Sequence, residues 1–206
     1  MSVTSVQPTL REWLHGLVSR RPHQVIGGVD DPYLLRWHLI PRNPVLNIYL
    51  HKFLRSDDDR ALHDHPWWFV SLILRGQYDE ITDAGTKRRR AGSIAYRPAT
   101  WRHRVALLWK SCASCEGTGI GYGQVPDSRW METDCGACDG SGNGRTLPCW
   151  TIIVTGRRAR TWGFWCRKVQ PLNFINPDDD NYTATSVAER FIPWTEFGDA
   201  GCGEAQ

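Results

Sequence analysis

With 206 residues the chain has room for one well-buried domain and an appendage, and not for two full domains. A composition of 41% hydrophobic and 23% charged residues excludes the disordered and membrane classes, and a net charge of +3 gives no global electrostatic pull toward nucleic acid. Eleven Trp are many for this length; they suit barrel interiors and ligand pockets, where the flat ring packs while the indole N–H finds a partner.

Met1 to Thr9 has no basic region followed by an apolar run, and nowhere do eighteen apolar residues occur in succession. A cytoplasmic protein that does not engage a membrane is the expectation. Leu10, Trp13, Leu14, Leu17 and Val18 recur at helical spacing, with Thr9 as N-cap and Glu12 three residues on, so a short amphipathic helix should pack outside the core. Arg21 to Asp31, with Pro22 and Gly27-Gly28, reads as a loop. Tyr33 to Ile40 and Asn47 to Leu54 read as strands joined by a turn at Pro41 to Pro44. Arg55 to Arg60 is a charged loop.

His63 and His65 stand two residues apart at the head of the strand-like run to Leu74, so both rings project from one face. The inward set by period two is His63, His65, Trp67, Phe69, Ser71 and Ile73, which makes an aromatic wall. Gly76 ends the strand and Tyr78 to Thr82 is expected to pair with it. Asp83-Ala84-Gly85 with the basic run Lys87 to Arg90 reads as a polar hairpin tip, a solvated face before it is a phosphate contact. Gly92 to His103 supplies a third imidazole. Arg104 to Trp109 reads as a strand whose antiparallel partner is Trp150 to Thr155. Arg157 to Arg160 belongs to a basic turn, Thr161 to Arg167 to an aromatic strand and Pro171 to Thr185 to a loop. Ala188 to Phe197 is an amphipathic piece over the end of the barrel, and 198–206 a frayed tail.

Between Trp109 and Trp150 lies a stretch too long for a bare loop. It holds Cys112-Ala-Ser-Cys115 and Cys135-Gly-Ala-Cys138, two Cys-x-x-Cys knuckles separated by nineteen residues, a spacing that closes one tetrahedral thiolate site for zinc. Glycines follow each knuckle, Gly117 and Gly119 after the first, Gly140 and Gly142 after the second, and permit the tight turns that bring backbone amides toward sulfur. A hydrophilic insert cannot build its own core, so the expected role of the zinc is structural. Cys149, Cys166 and Cys202 have no partners at metal spacing and read as plain thiols.

These motifs resemble two known families. His63-x-His65 with Gly76, and Gly92 with Pro98 and His103, match the paired motifs of the cupin superfamily, with Phe69 where that family has Glu and Thr100 where it has Gly. The resemblance covers about residues 33 to 109 and 149 to 166, and is to small stand-alone cupins of bacteria and their phages. It implies an all-β, jelly-roll-like barrel (double-stranded β-helix) over 33–109 and 149–197, after an N-terminal helix and lead-in over 1–32. A zinc-binding insert occupies 110–148 and a tail 198–206. The repeated Cys-x-x-Cys-x-Gly-x-Gly resembles the zinc-binding region of DnaJ-type chaperones, from which only the metal geometry carries over.

Three imidazoles, His63, His65 and His103, make a neutral ligand set for a divalent transition metal. Among cupins such a set is similar to that of thiol dioxygenases, which implies Fe(II) or another divalent metal and an oxidoreductase acting on a small molecule. His51, a candidate further ligand or acid/base group, and Tyr96 are the candidate catalytic residues. Glu80 is the nearest downstream carboxylate, and Arg97 and Arg102 flank the second motif. The alternative, of a different class, is a non-catalytic module that binds a ligand, a protein or nucleic acid; a homodimer is compatible with either. Fold alone does not choose.

Overall fold

Helix α1 (Leu10–Val18) starts where its capping box predicts: the Thr9 hydroxyl accepts from the Glu12 N–H, and the Glu12 carboxylate accepts from the Thr9 N–H at 2.8 Å. Trp13 ties it to the barrel by donating its indole N–H to the His38 carbonyl at 2.8 Å. The strands that follow are β1 (Gln24–Ile26), β2 (Leu34–His38), β3 (Asn47–Phe53), β4 (Leu62–His63), β5 (Phe69–Arg75) and β6 (Gln77–Thr82). Next come β7 (Gly85–Arg90), β8 (Ile94–Arg97) and β9 (Arg104–Leu107). The insert holds β10 (Trp109–Ser111), β11 (Ile120–Gln124), β12 (Trp130–Asp134) and β13 (Asn143–Thr146). The chain resumes with β14 (Cys149–Thr155), β15 (Gly163–Leu172), β16 (Ala184–Pro193) and helix α2 (Trp194–Phe197). This is a computed structural model, and it describes residues 8–57, 61–124, 130–172, 184–198 and 201–202.

Two antiparallel sheets face each other. One has the order β1-β2-β3-β14-β5-β8. The other is made of β7-β6-β9 and β4-β15-β16, joined where His63 and His103 exchange backbone hydrogen bonds of 2.9 and 3.0 Å. The strands β3-β14-β5-β8 thus oppose β4-β9-β6-β7, and between β3 and β15 the chain crosses from sheet to sheet at every barrel connection except β6 to β7, which is the jelly-roll, double-stranded β-helix architecture. Leu34, Phe53, Ile73 and Cys149 from the first sheet pack against Tyr78, Val105 and Leu107 from the second. Burying an aliphatic side chain of this kind contributes about 1.5–3 kcal/mol.

Several pairings differ from those expected. Tyr78–Thr82 does not pair with the strand before it: Gly76, at φ +85°, turns the chain across to the other sheet, where β6 lies between β7 and β9. A side chain at Gly76 would stand 2.6 Å from the Pro148 carbonyl oxygen, so the crossing needs glycine. Trp150 to Thr155 does not pair with Arg104 to Trp109; β14 sits between β3 and β5, and the insert bridges the two sheets. The run Lys87 to Arg90 is strand β7 rather than a hairpin tip, with Asp83-Ala84 as the turn before it. The stretch 21–31 contains β1, and 188–197 is the end of β16 followed by α2. Pro171 and Leu172 end β15 and Ala184 and Thr185 open β16, while 173–183 lies outside the described residues.

Cys166 and Cys202 form a disulfide instead of standing as free thiols, which fixes the described part of the tail beside β15. They lie 36 positions apart in sequence, and such a pairing follows from the fold and not from local spacing. Cys149 is a free, fully buried thiol, and burial pushes it up to about 12. Among the described residues no helix is long and apolar enough to cross a membrane.

Candidate metal centre

β4 places His63, the short segment before β5 places His65, and the bend between β8 and β9 places His103. The strand is thus interrupted between the first two histidines, yet the side-chain nitrogens of all three lie within 4.8 Å of one another. Nε2 of His65 and Nε2 of His103 are 2.9 Å apart. That is about the separation of two nitrogens bound at right angles to a cation at roughly 2.0–2.1 Å. Burial pushes His63 down to about 4, and burial followed by its two histidine neighbours holds His65 well below the usual imidazole range. These rings are neutral at pH 7, the form in which imidazole ligates.

Each ring is oriented by a different neighbour. Nδ1 of His103 lies 3.2 Å from the Glu80 carboxylate, so its N–H donates there and its Nε2 lone pair turns inward. Nδ1 of His63 faces the Asp57 carboxylate at 3.8 Å. His65 is packed between the edge contact of Phe69, ring centroids 4.7 Å apart, and the nearly parallel face of Trp162 at 6.5 Å. Phe69 therefore presents an apolar wall to the triad.

Glu80 is no direct substitute for that ligand. Only 2% exposed, it accepts hydrogen bonds from both Arg97 and Arg89 and from the Trp101 indole N–H. Burial would raise its carboxyl, but the hydrogen bonds from His103, Arg97 and Arg89 outweigh that and hold it well below the usual carboxylate range. Asp64, between the two histidines and fully buried, accepts from the Gly163 N–H and the Trp165 indole N–H at 3.0 Å each, and from Arg160. It fastens the His-x-His segment to β15. Its period-two position, opposite the histidines, was the available sign that it faces a different partner.

The other expected site residues fall apart. His51 is buried on β3, but its Nε2 accepts from Arg36 Nε at 2.8 Å and it is not among the converging ligands. Tyr96 stands on the outer side of β8, 60% exposed beside Trp68, whereas its neighbour Arg97 turns inward. That placement removes Tyr96 from the centre. Arg102 lies over the Trp165 ring and pairs with Glu189 at 2.7 Å. Surface grooves near Asp83, lined by Arg102, Arg104, Arg167 and Glu189 among others, include none of the three histidines in their lining, and several of their charges already pair with each other.

The second centre is the insert. Sγ atoms of Cys112, Cys115, Cys135 and Cys138 lie within 4.8 Å of one another, with Cys115 and Cys138 3.7 Å apart. Thiolates bound tetrahedrally at about 2.3 Å have that spacing, so the donor set fits zinc. The knuckles are related as a repeat. The Cys112 N–H donates to the Gly142 carbonyl and the Cys135 N–H to the Gly119 carbonyl, each at 2.8 Å. Thr118 and Ser141 each cap the carbonyl of the cysteine three residues before them. Burial disfavours ionisation at Cys115, but hydrogen bonds from the amides of Gly119 and Gly117 and from the Cys112 and Cys138 thiols outweigh it and hold the thiol below its usual range.

A Cβ at Gly119 would sit 2.2 Å from the Gly140 carbonyl oxygen, and one at Gly142 2.4 Å from that of Gly117; both glycines have positive φ. Gly119→Ala and Gly142→Ala are each expected to release metal to a competing chelator at much lower chelator concentration. Gly136→Ala, where the new methyl meets nothing within 4 Å, should behave as the unmodified protein. Equal retention in all three would contradict this account of the turns.

No family model matches the chain, and no curated protein matches it. Solved structures do. An uncharacterised protein with a double-stranded β-helix domain from Klebsiella pneumoniae is 10% identical, with a TM-score of 0.40 over 73% of this chain and 95% of its own. An RmlC-like cupin from Methanocaldococcus jannaschii is 10% identical, with a TM-score of 0.36 over 66% and 90%. The polyketide cyclase RemF from Streptomyces resistomycificus is 13% identical, with a TM-score of 0.37 over 62% and 72%. The chain has a jelly-roll, double-stranded β-helix fold. Its strand order carries that statement, and the chemistry rests on the residues above.

Proposed function

We propose that the chain is a metal-dependent enzyme of the oxidoreductase class, dioxygenase-like, which acts on a small molecule at a divalent transition metal held by His63, His65 and His103. Zinc in the four-cysteine insert has a structural role. The observation that carries this reading is the convergence of three imidazoles, each held by its own neighbour, beside an apolar wall where an acidic ligand would otherwise stand. Iron(II) in such a neutral set would keep its full charge and open positions, and would supply one-electron chemistry with dioxygen. The protein's part is to hold His103 in one tautomer through Glu80, to set the Asp57 carboxylate beside His63 and to exclude water with Phe69 and Trp162.

Metal content per chain after anaerobic purification tests it. Iron, manganese or nickel should accompany zinc, and His63→Ala/His103→Ala should remove only the former. Zinc alone, lost only when the cysteines are replaced, would sink the enzyme reading.

The second reading, a non-catalytic ligand-binding module, draws on the low exposure of the triad, 14% at the His63 side chain and 7% at that of His103. Its nucleic-acid form is weakened by β7. Arg88 pairs with Asp79 through two hydrogen bonds of 2.8 Å and Arg89 turns inward to Glu80, so half of the basic run is already neutralised.

A further inference from the structure

Two aromatic columns run from the C-terminal helix to the histidine triad. In one, the Trp194 ring stacks on Trp162 with centroids 5.7 Å and planes 6° apart, and Trp162 in turn lies nearly parallel to His65 at 6.5 Å. In the other, Phe197 stacks on Phe164 at 3.6 Å, and Phe164 meets His63 edge-on at 6.0 Å. Trp194 is 48% exposed and Phe197 is buried, so α2 covers the rings that wall the triad.

This cover has little to hold it in place by itself. A helix of four residues is too short to be stable alone, and Pro193 at its start offers no side-chain cap. β16 is paired with β15 as far as Pro193, opposite Gly163; past that point the covalent tie back to β15 is the bond from Cys202 to Cys166. The Gly201 N–H donates to the Phe197 carbonyl at 2.7 Å, which fastens the turn that carries Cys202 to the end of α2, and Arg190 donates to the Cys202 carbonyl at 2.8 Å. Ala61, Cys166, Ile192 and Phe197 form a cluster of their own, and the main barrel core includes neither cysteine of the pair. Opening the bond therefore loosens α2 and leaves the packing of the barrel core in place. Cys166 is buried while Cys202 is only partly so, which makes Cys202 the sulfur that a thiolate can reach.

We propose that the bond between Cys166 and Cys202 is a thiol–disulfide exchange site through which a dithiol reductant controls access to the triad. A thiolate of the dithiol attacks Cys202 Sγ; the S–S bond breaks, a mixed disulfide forms, and Cys166 leaves with the electron pair and takes up a proton. The second thiol of the reductant then displaces Cys202, so the protein ends with two thiols and the reductant as a disulfide. Untied, Trp194 and Phe197 leave Trp162 and Phe164, and small molecules reach His63 and His65. The value of this opening to catalysis rests on the metal-centre reading above; the opening itself does not.

The test uses full-length protein brought to one zinc per chain, so that the insert keeps its metal and the barrel imidazoles are free to react. Diethyl pyrocarbonate, which acylates neutral imidazole, is applied to the oxidised protein and to protein treated with dithiothreitol and then freed of it, and labelling is followed residue by residue by peptide mass spectrometry. Reduction should raise the labelling rates of His63 and His65 at least roughly tenfold, while exposed His15 and buried His38 keep theirs. Cys202→Ser should label at the reduced rate and not respond further to the dithiol, which separates the disulfide from any effect of the reductant on the zinc thiolates. Phe197→Ala should open the same rings with the disulfide intact. Equal rates before and after reduction would overturn the proposal and leave the metal centre untouched. A rise at His38 as large as that at the triad would also overturn it, since the bond would then hold the whole barrel together. A triad that opens on reduction in protein that never binds barrel metal would retire the metal-centre reading and leave the exchange site standing.

Discussion

Replacing Cys112 and Cys135 by serine will strip one zinc from each chain and unfold the insert, while the barrel keeps its own fold. The expectation follows from what the insert is made of. Among the described residues its buried cluster consists of Cys112, Cys115 and Cys135, with Cys138 packed against them. Its strands form two separate two-stranded ribbons, β10 with β13 and β11 with β12, and an isolated ribbon is at best marginally stable in water. Trp109, Tyr122 and Met131 are half or more exposed, so they add little core. Metal ligation then supplies the folding free energy, on the order of 10–16 kcal/mol in small zinc peptides at neutral pH. The barrel has its own ties at the insert's root, where the Thr146 hydroxyl donates to the Leu54 carbonyl at 2.6 Å and the Leu147 N–H to the Leu108 carbonyl at 2.7 Å. Limited proteolysis should therefore cut the variant within 110–148 and leave the barrel as a resistant fragment. A variant that keeps one zinc per chain, or an insert that resists protease without it, would refute this account.

What could be read from the sequence was local. The two Cys-x-x-Cys knuckles with their glycines, and His63, His65 and His103 within short motifs, each carry their geometry in a few residues, and the structure gathers each group within ligand distance. Period-two alternation also placed Phe69, Ser71 and Ile73 inward, where all three are buried. The neighbours of each strand were not legible, because a jelly roll passes the chain from sheet to sheet and alternation reports a face, not a partner. The buried charges were hidden for the same reason. Asp64 meets Arg160 and Trp165 from about a hundred residues away, and Glu80 meets Arg97 across the barrel. A run of like charge such as Lys87 to Arg90 looks uniform in sequence, yet on a strand alternate members face opposite ways. Arg89 goes in, 15% exposed at the side chain, while Arg88 at 44% stays out.

Glu80→Ala should be the most damaging single substitution in the barrel. The carboxylate is nearly inaccessible, and its removal leaves the Arg97 guanidinium, 8% exposed at the side chain, without its anion inside the protein. Breaking a buried pair from one side costs about 3–5 kcal/mol, because the remaining charge stays desolvated and unpaired. For a chain of this size that corresponds to a fall of about 10 °C in Tm. The loss also reaches the triad: without Glu80 nothing on that side accepts the His103 Nδ1–H, so Nε2 is no longer held as the inward lone pair. Affinity for barrel metal should drop roughly 10- to 100-fold, while zinc in the insert is unaffected. Glu80→Leu combined with Arg97→Leu separates the two effects. Removing both charges should recover part of the lost stability, since Arg97 no longer stands unpaired while Arg89, 15% exposed at the side chain, still lacks its carboxylate, and it should leave metal affinity low, since His103 remains without its acceptor. Thermal unfolding and metal titration of the same three proteins decide it. If Glu80→Ala costs less than about 1 kcal/mol, the network is not the buried ion pair described here. If the double variant regains metal affinity together with stability, Glu80 acts on the fold and not on the orientation of His103.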